Sequence, residues 1–425
     1  MRRRIQRLGA PVVVIAIAVC IGSAVADSAL TTPVAQAPAR TQTQPGGYSR
    51  AEVYRQVKAL TAIGRQMFFD PALSASGKQS CATCHSPAYA YGPPNALAVQ
   101  PGGVDLKAFG LRAVPTLTYN QVTPQFTEHF HDSDSEGDES VDGGPTGGLS
   151  WDGRVDRGRD QALFPLLSPF EMANRSRTTL AAVVEAKYGA ALRNALGDTL
   201  QLGPEATLAA GLRAIETFEQ DYTQFFPYTS KYDFYLAGKA TLTEQEARGL
   251  KLFNDETKGN CASCHHSWQS AGGGPPQFTD YGMVALGVPR NTHIPANRDR
   301  NFFDLGLCGP LRTDFKTVSA YCGLFKTPTL RNIALRQTFF HNGIFHSLKE
   351  VLEFYAQRDT KPEKWYPRNA DGSVRKFDDL PAQYHGNINT DPPFDRKIGD
   401  APALSSAEID DVIAFLQTLT DGYRP

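Results

Sequence analysis

Cys81-Ala82-Thr83-Cys84-His85 and Cys261-Ala262-Ser263-Cys264-His265 are two copies of one five-residue pattern, set 180 residues apart. Two thiols at this spacing can add to the vinyl groups of one haem, and the histidine that follows is placed to ligate its iron. A lone CxxC also reads as half a zinc site or as a redox dithiol. A histidine directly after both pairs, behind an export signal, argues for two c-type haems instead.

The N-terminus supplies that signal. Arg2, Arg3, Arg4 and Arg7 precede an uncharged run from Leu8, and Ala24-Val25-Ala26 forms a small-x-small cleavage site, so residues 1–26 read as a secretory signal peptide. The chain is then expected in the periplasm, with membrane contact only if this segment stays uncleaved. Residues 27–47, rich in Pro, Gly, Ala, Thr and Gln, read as a flexible linker.

Of seven cysteines, Cys20 leaves with the signal and four bind haem; Cys308 and Cys322 remain, and in an oxidising compartment they are expected to pair. The whole chain carries 43 basic and 44 acidic residues; losing four arginines and no acid leaves 39 against 44, or −5. Nucleic acid is an unsuitable partner for such a chain. A redox protein with a basic face fits better.

The remaining residues, about 380, suffice for two domains. Helical patterns cover 49–69, 178–196, 205–226, 243–253, 347–355 and 405–419, and capping boxes open three of them: Thr243 with Glu246, Ser347 with Glu350, Ser405 with Glu408. The predicted class is mainly α, with two cytochrome c-like haem domains and long Gly/Pro-rich loops.

The haem motif is one part of a longer internal repeat. A Gly-x-x-x-Phe helix end precedes each motif (Gly64 to Phe68, Gly249 to Phe253), and Pro-Thr-Leu follows each, at Pro115 and Pro328. A glycine turn comes next: Trp151-Asp152-Gly153 in one half, His341-Asn342-Gly343 in the other. This predicts an N-terminal haem domain over 48–235 and a C-terminal one over 236–425.

Aligning the two turns puts Pro165 and Tyr355 at the same offset, fourteen residues on. Tyr355 shares a helix face with Leu348, Val351 and Leu352, so its phenol points inward with them. A phenolate can ligate iron and proline cannot, which predicts a closed second haem and an open first one. Met283 is the rival ligand in the second half. Between His85 and Trp151 only His129 and His131 occur, in an acidic Gly-rich insertion.

From Ser49 onward the chain resembles the bacterial di-haem cytochrome c peroxidase and MauG superfamily. The resemblance is carried by Trp151-Asp152-Gly153-Arg154 with Gln161, Pro165 and Glu171-Met172, and by Phe325-Lys326-Thr327-Pro328-Thr329-Leu330-Arg331-Asn332 before His341-Asn342-Gly343. Peroxidases of that group place Met at the later ligand position and MauG-like members place Tyr, as at Tyr355. The resemblance implies that the His85 haem is peroxidatic, with Glu171 as acid/base, Gln161 orienting hydrogen peroxide and Arg154 fixing the turn. It also implies that Trp151 bridges the haems, that the His265 and Tyr355 haem stores or relays electrons, and that His341 hydrogen-bonds in its pocket.

Two departures matter. No histidine lies between His85 and Pro115, so the removable ligand of the peroxidase branch is absent and the first site is expected to be open at rest. Ala113 stands where relatives use an Asn for calcium, which leaves calcium undecided; the acidic run Asp132, Asp134, Glu136, Asp138 and Glu139 lacks the closing Glu of an EF-hand loop. Three functions stay open: a peroxidase fed by a small cytochrome c or cupredoxin, a MauG-like enzyme oxidising Trp or Tyr of a protein substrate, and an electron carrier or sensor. The long connection 356–403 is expected to shape a partner face over the second haem.

Overall fold

The computed structural model describes residues 49–131, 142–197, 203–270 and 272–425. The signal segment, the linker and the acidic run from Asp132 to Glu139 lie outside the described residues. Ten α-helices among the described residues run α1 (Arg50–Phe68), α2 (Cys81–Cys84), α3 (Gly158–Leu167), α4 (Arg177–Leu196), α5 (Pro204–Glu219), α6 (Tyr222–Phe225), α7 (Lys231–Leu236), α8 (Glu244–Asn254), α9 (Leu348–Gln357) and α10 (Ser406–Gln417). None of the helices is long and apolar enough to cross a membrane. Among the described residues the strands form two antiparallel pairs, β1 (Pro101–Gly102) with β2 (Ala108–Phe109) and β3 (Met283–Val284) with β4 (Phe325–Lys326).

Local chemistry explains where the helices begin. Ser49 caps α1 by accepting from the Glu52 amide, and all three capping boxes expected at Thr243, Ser347 and Ser405 form, opening α8, α9 and α10. The run 205–226, expected as one helix, is two: the Asp221 carboxylate accepts from the Thr223 amide at 2.9 Å, ending α5 and starting α6. Helix α3 went unpredicted because Pro165 sits inside it.

The repeated glycines are helix-crossing points. A Cβ on Gly64 of α1 would lie 1.8 Å from the Ala214 carbonyl oxygen of α5, and one on Gly249 of α8 would lie 2.0 Å from that of Asp411 in α10. Only glycine lets each helix pair approach so closely. The phenylalanine four residues on then buries completely in each half, Phe68 against Phe218 and Phe253 against Phe415.

Two separate apolar cores result. Leu60, Met67, Leu180, Val184, Leu208 and Phe218 belong to the first, built by α1, α3, α4 and α5. Phe253, Phe278, Phe354, Ile409, Val412 and Phe415 belong to the second, built by α8, α9 and α10. Tyr232 of α7, within the stretch where the two halves meet in sequence, packs into the second core. A smaller cluster of Ala285, Leu307, Leu324, Leu380 and Ile388 involves the long connection after α9, which is packed rather than free.

Candidate haem sites and the junction between them

Each histidine of the repeated motif is fixed in the same way. His85 Nδ1–H donates to the Tyr91 carbonyl at 2.9 Å, and His265 Nδ1–H donates to that of Phe278 at 2.9 Å. The accepting residue is left-handed in both halves, with φ of 53° at Tyr91 and 54° at Phe278. The leucine amide of Pro-Thr-Leu donates to the same carbonyl, from Leu117 at 3.3 Å and from Leu330 at 3.3 Å. The repeated tripeptide therefore supports the carbonyl that orients the imidazole. Burial depresses both histidines to about 4, so each ring is neutral with Nε2 left to bind a metal.

The four motif cysteines are unpaired. Burial raises Cys81, Cys84 and Cys261 to about 12 and Cys264 to about 11, the reverse of the acidic thiols of redox dithiols. Paired protonated thiols beside a neutral, carbonyl-oriented histidine fit covalent haem at both places.

In the second half, the face of α9 formed by Leu348, Val351, Leu352 and Tyr355 lines one cavity together with Cys261, Cys264 and His265. Tyr355 stacks on Phe340 at 5.9 Å and leans on Phe394 at 5.4 Å. Burial holds its phenol well above the ordinary value, opposed by the nearby Arg358 guanidinium. Met283 lies elsewhere: its methyl would be 2.7 Å from a Cβ on Gly153, so it packs against the turn of the first half.

The first half has the matching helix. Bridges Leu149 to Val155 and Phe339 to Phe345 close the two glycine turns at an offset of 190 residues, and Gly153 and Gly343 share a φ of 61°. Helix α3 then follows where α9 does, carrying Gln161 and, one turn later, Pro165 at the position of Tyr355. The Met172 amide donates to the Pro165 carbonyl at 3.0 Å, folding the segment with Glu171 back onto α3. The Glu171 side chain is exposed at its tip, yet the protein packed around the carboxyl raises its pKa, against the lowering pull of Ser168 and of Arg154. Its charge adds to the rise that burial imposes on Cys81 and Cys84.

The two turns meet through one residue. Trp151 Nε1–H donates to the Ala113 carbonyl at 2.8 Å, while the Ala113 amide donates to the His341 carbonyl at 2.7 Å. Ala113 thus joins Trp151 and His341, the equivalent positions of the repeat. His341 stacks on Phe325 at 3.6 Å, its Nε2 is 4.0 Å from the Asp379 carboxylate, and burial depresses it to about 3. Behind them Arg112 bridges the halves, donating to Asp152 at 2.7 Å and to Asp304 at 2.6 and 2.8 Å, and Arg154 also binds Asp152.

Sequence reading missed Arg112, Asp304 and the linking role of Ala113, because backbone bridges and long-range ion pairs leave no local periodicity. Cys308 and Cys322 form a disulfide with a Cα separation of 4.9 Å. His129 pairs with Asp142 at the exposed surface.

Two helical halves, each orienting a histidine behind a CxxC pair and sharing an aromatic junction, define a di-haem oxidoreductase. Residues 58–241 match the family model for di-haem cytochrome c peroxidase. The chain is 31% identical to the methylamine utilization protein MauG of Paracoccus denitrificans (strain Pd 1222) over 381 residues, 86% of this chain and 90% of that one. It is 27% identical to cytochrome c551 peroxidase of Nitrosomonas europaea (strain ATCC 19718 / CIP 103999 / KCTC 2705 / NBRC 14298) over 311 residues, 71% of this chain and 76% of that one. The crystal structure of the diheme peroxidase BthA from Burkholderia thailandensis E264 superposes with a TM-score of 0.74 at 38% identity, covering 85% of this chain and 86% of that one. The chain belongs to the di-haem cytochrome c peroxidase and MauG family.

Proposed function

We propose that this protein is a periplasmic peroxidase. Cys81, Cys84 and His85 would hold the haem that reduces hydrogen peroxide and Cys261, Cys264, His265 and Tyr355 a second one, while Trp151 would carry electrons from a small cytochrome c or cupredoxin across the junction. The observation that carries this reading is the asymmetry of the repeat: Pro165 on α3 stands where Tyr355 stands on α9. Haem, when bound, supplies an iron face for peroxide and a place to hold oxidising equivalents.

The chain's own groups do the rest. Gln161 orients the peroxide with its amide. Glu171, its pKa raised by burial, takes the proton of one peroxide oxygen and returns it to the other as water leaves. Trp151, held by its indole N–H to Ala113, passes electrons singly between the halves. Reducing one peroxide to two waters consumes two electrons and two protons. His341, depressed by burial, stays neutral in the second pocket, and Tyr355 would serve as a ligand of the haem held there.

A second reading has its own support. Tyr355 is the ligand type of MauG-like members, so the stored oxidising power could instead be directed at Trp or Tyr side chains of a partner protein. Mixing the protein with peroxide and a reduced small c-type cytochrome decides between them. Oxidation of two cytochromes per peroxide is expected; peroxide consumption that leaves the cytochrome reduced would overturn the peroxidase reading.

A further inference from the structure

Most of the well-buried arginines in this fold have a carboxylate within contact. Arg112 pairs with Asp152 and Asp304, Arg290 with Asp379, Arg312 with Asp314, Arg331 with Asp233 and Arg358 with Asp359. Arg336 differs. Its Nε–H donates to the Thr338 carbonyl at 3.2 Å and its Nη2–H to the Val114 carbonyl at 3.0 Å, and no acidic group among the described residues makes an ion pair with it. Of the other cations lining the cavity, Arg331 has Asp233 and Lys326 lies within the field of Asp152.

A half-buried guanidinium with only neutral carbonyls for company gains from a counter-charge. Its position says where that charge would come from. Arg336 lines the cavity that also holds Cys261, His265 and Tyr355 of the second site together with Tyr89, Ala90, Pro115 and Thr116 from the first half of the chain. It comes from the second half, yet Val114 and the turn at Gly92, whose added Cβ would be 3.6 Å from Nη1, belong to the first. Its charge is felt at His85, the histidine of the first motif.

We propose that Arg336 binds a haem propionate at the junction of the two sites and so sets the difference in reduction potential between the haems. The proposal rests on the haem placement above. A planar fork with two of its donors already anchored presents its remaining N–H groups to a carboxylate in fixed geometry. A cation there favours the ferrous state of the haem it faces, because the ferric state carries one more positive charge. Since the side chain is lent by one half to the other, the potential at one site depends on the fold of its neighbour.

The test is spectroelectrochemical titration of the holoprotein, Arg336→Gln and Arg336→Lys, with haem content measured separately by the pyridine haemochrome assay. Fewer than two haems in the unaltered protein would defeat the underlying placement and not this inference in particular. With two haems retained, Arg336→Gln is expected to lower the ratio of reduced to oxidised iron at fixed potential roughly tenfold at one haem, and Arg336→Lys by less. Low-spin and high-spin signals identify which haem moves. Unchanged ratios at both haems would overturn the proposal. Should Arg336→Gln fail to hold two haems, infrared difference spectra of Arg336→Lys carrying ¹³C-propionate haem decide: a shifted carboxylate band supports the contact, and an unmoved band overturns it.

Discussion

The two halves of this molecule are built alike up to one helix. Both cross a glycine-notched helix with a later one, at Gly64 on Ala214 and at Gly249 on Asp411. Both hold a histidine by a left-handed aromatic carbonyl that a Pro-Thr-Leu amide supports. Both close a glycine turn with the same bridge before the next helix. They part at α3 and α9, where one carries Gln161 and Pro165 and the other Val351 and Tyr355. The scaffold that would hold a cofactor and the face proposed to decide its chemistry are thus separate parts of the repeat.

The glycine crossings offer the most severe way to test that likeness. Gly64→Val and Gly249→Val each force a side chain into a backbone carbonyl, and each is expected to cost more than about 4 kcal/mol and to abolish soluble haem protein. Recovery of one variant as a stable di-haem protein would mean that the two crossings are not equivalent.

Glu171→Gln tests the divergence instead. Peroxide turnover is expected to fall by about 10² to 10⁴-fold while both haems remain bound. To accept a proton Glu171 must first be ionised, and burial raises its pKa. Activity should therefore rise with pH across a limb above the ordinary carboxylate range, and that limb should vanish in the variant. A limb unchanged in Glu171→Gln would assign it to another group.

The disulfide belongs to the second half alone. Replacing Cys308 and Cys322 by Ser opens a loop with a sequence separation of 14. The expected loss is about 3 kcal/mol by denaturant unfolding of the second half, with the helices of the first unaffected in hydrogen exchange. Uniform loss of protection across both halves would show that they unfold as one unit. The smallest effect is expected at the α9 cap: Ser347→Ala should cost about 1 kcal/mol and loosen Tyr355 without loss of haem, checked by thermal unfolding and by the second haem's absorption spectrum.

Much of the scaffold was legible because its causes are local. Ser347 with Glu350 and Ser405 with Glu408 announce helices through contacts three residues long, and Gly64 and Gly249 betray themselves by recurring at matched places. Helix α3 was not legible, since Pro165 argues against a helix until the surrounding core outweighs it. Nor was the break at Asp221, where a side chain competes with the backbone for one amide. The sites divide in the same manner. Cysteine spacing and the offset of Tyr355 can be read along the chain, whereas Ala113 between Trp151 and His341, Arg112 between Asp152 and Asp304, and the lone Arg336 exist only once the halves come together.

The proposed function requires a first site that is open at rest and a second closed by Tyr355. Its most direct test is one equivalent of peroxide added to the fully ferric protein, followed by optical and Mössbauer spectroscopy. Both irons are expected to change their spectra without any prior reduction, and Tyr355→His is expected to keep two haems yet lose the change at the second iron. An unreactive ferric protein, responding only after one haem has been reduced, would contradict it.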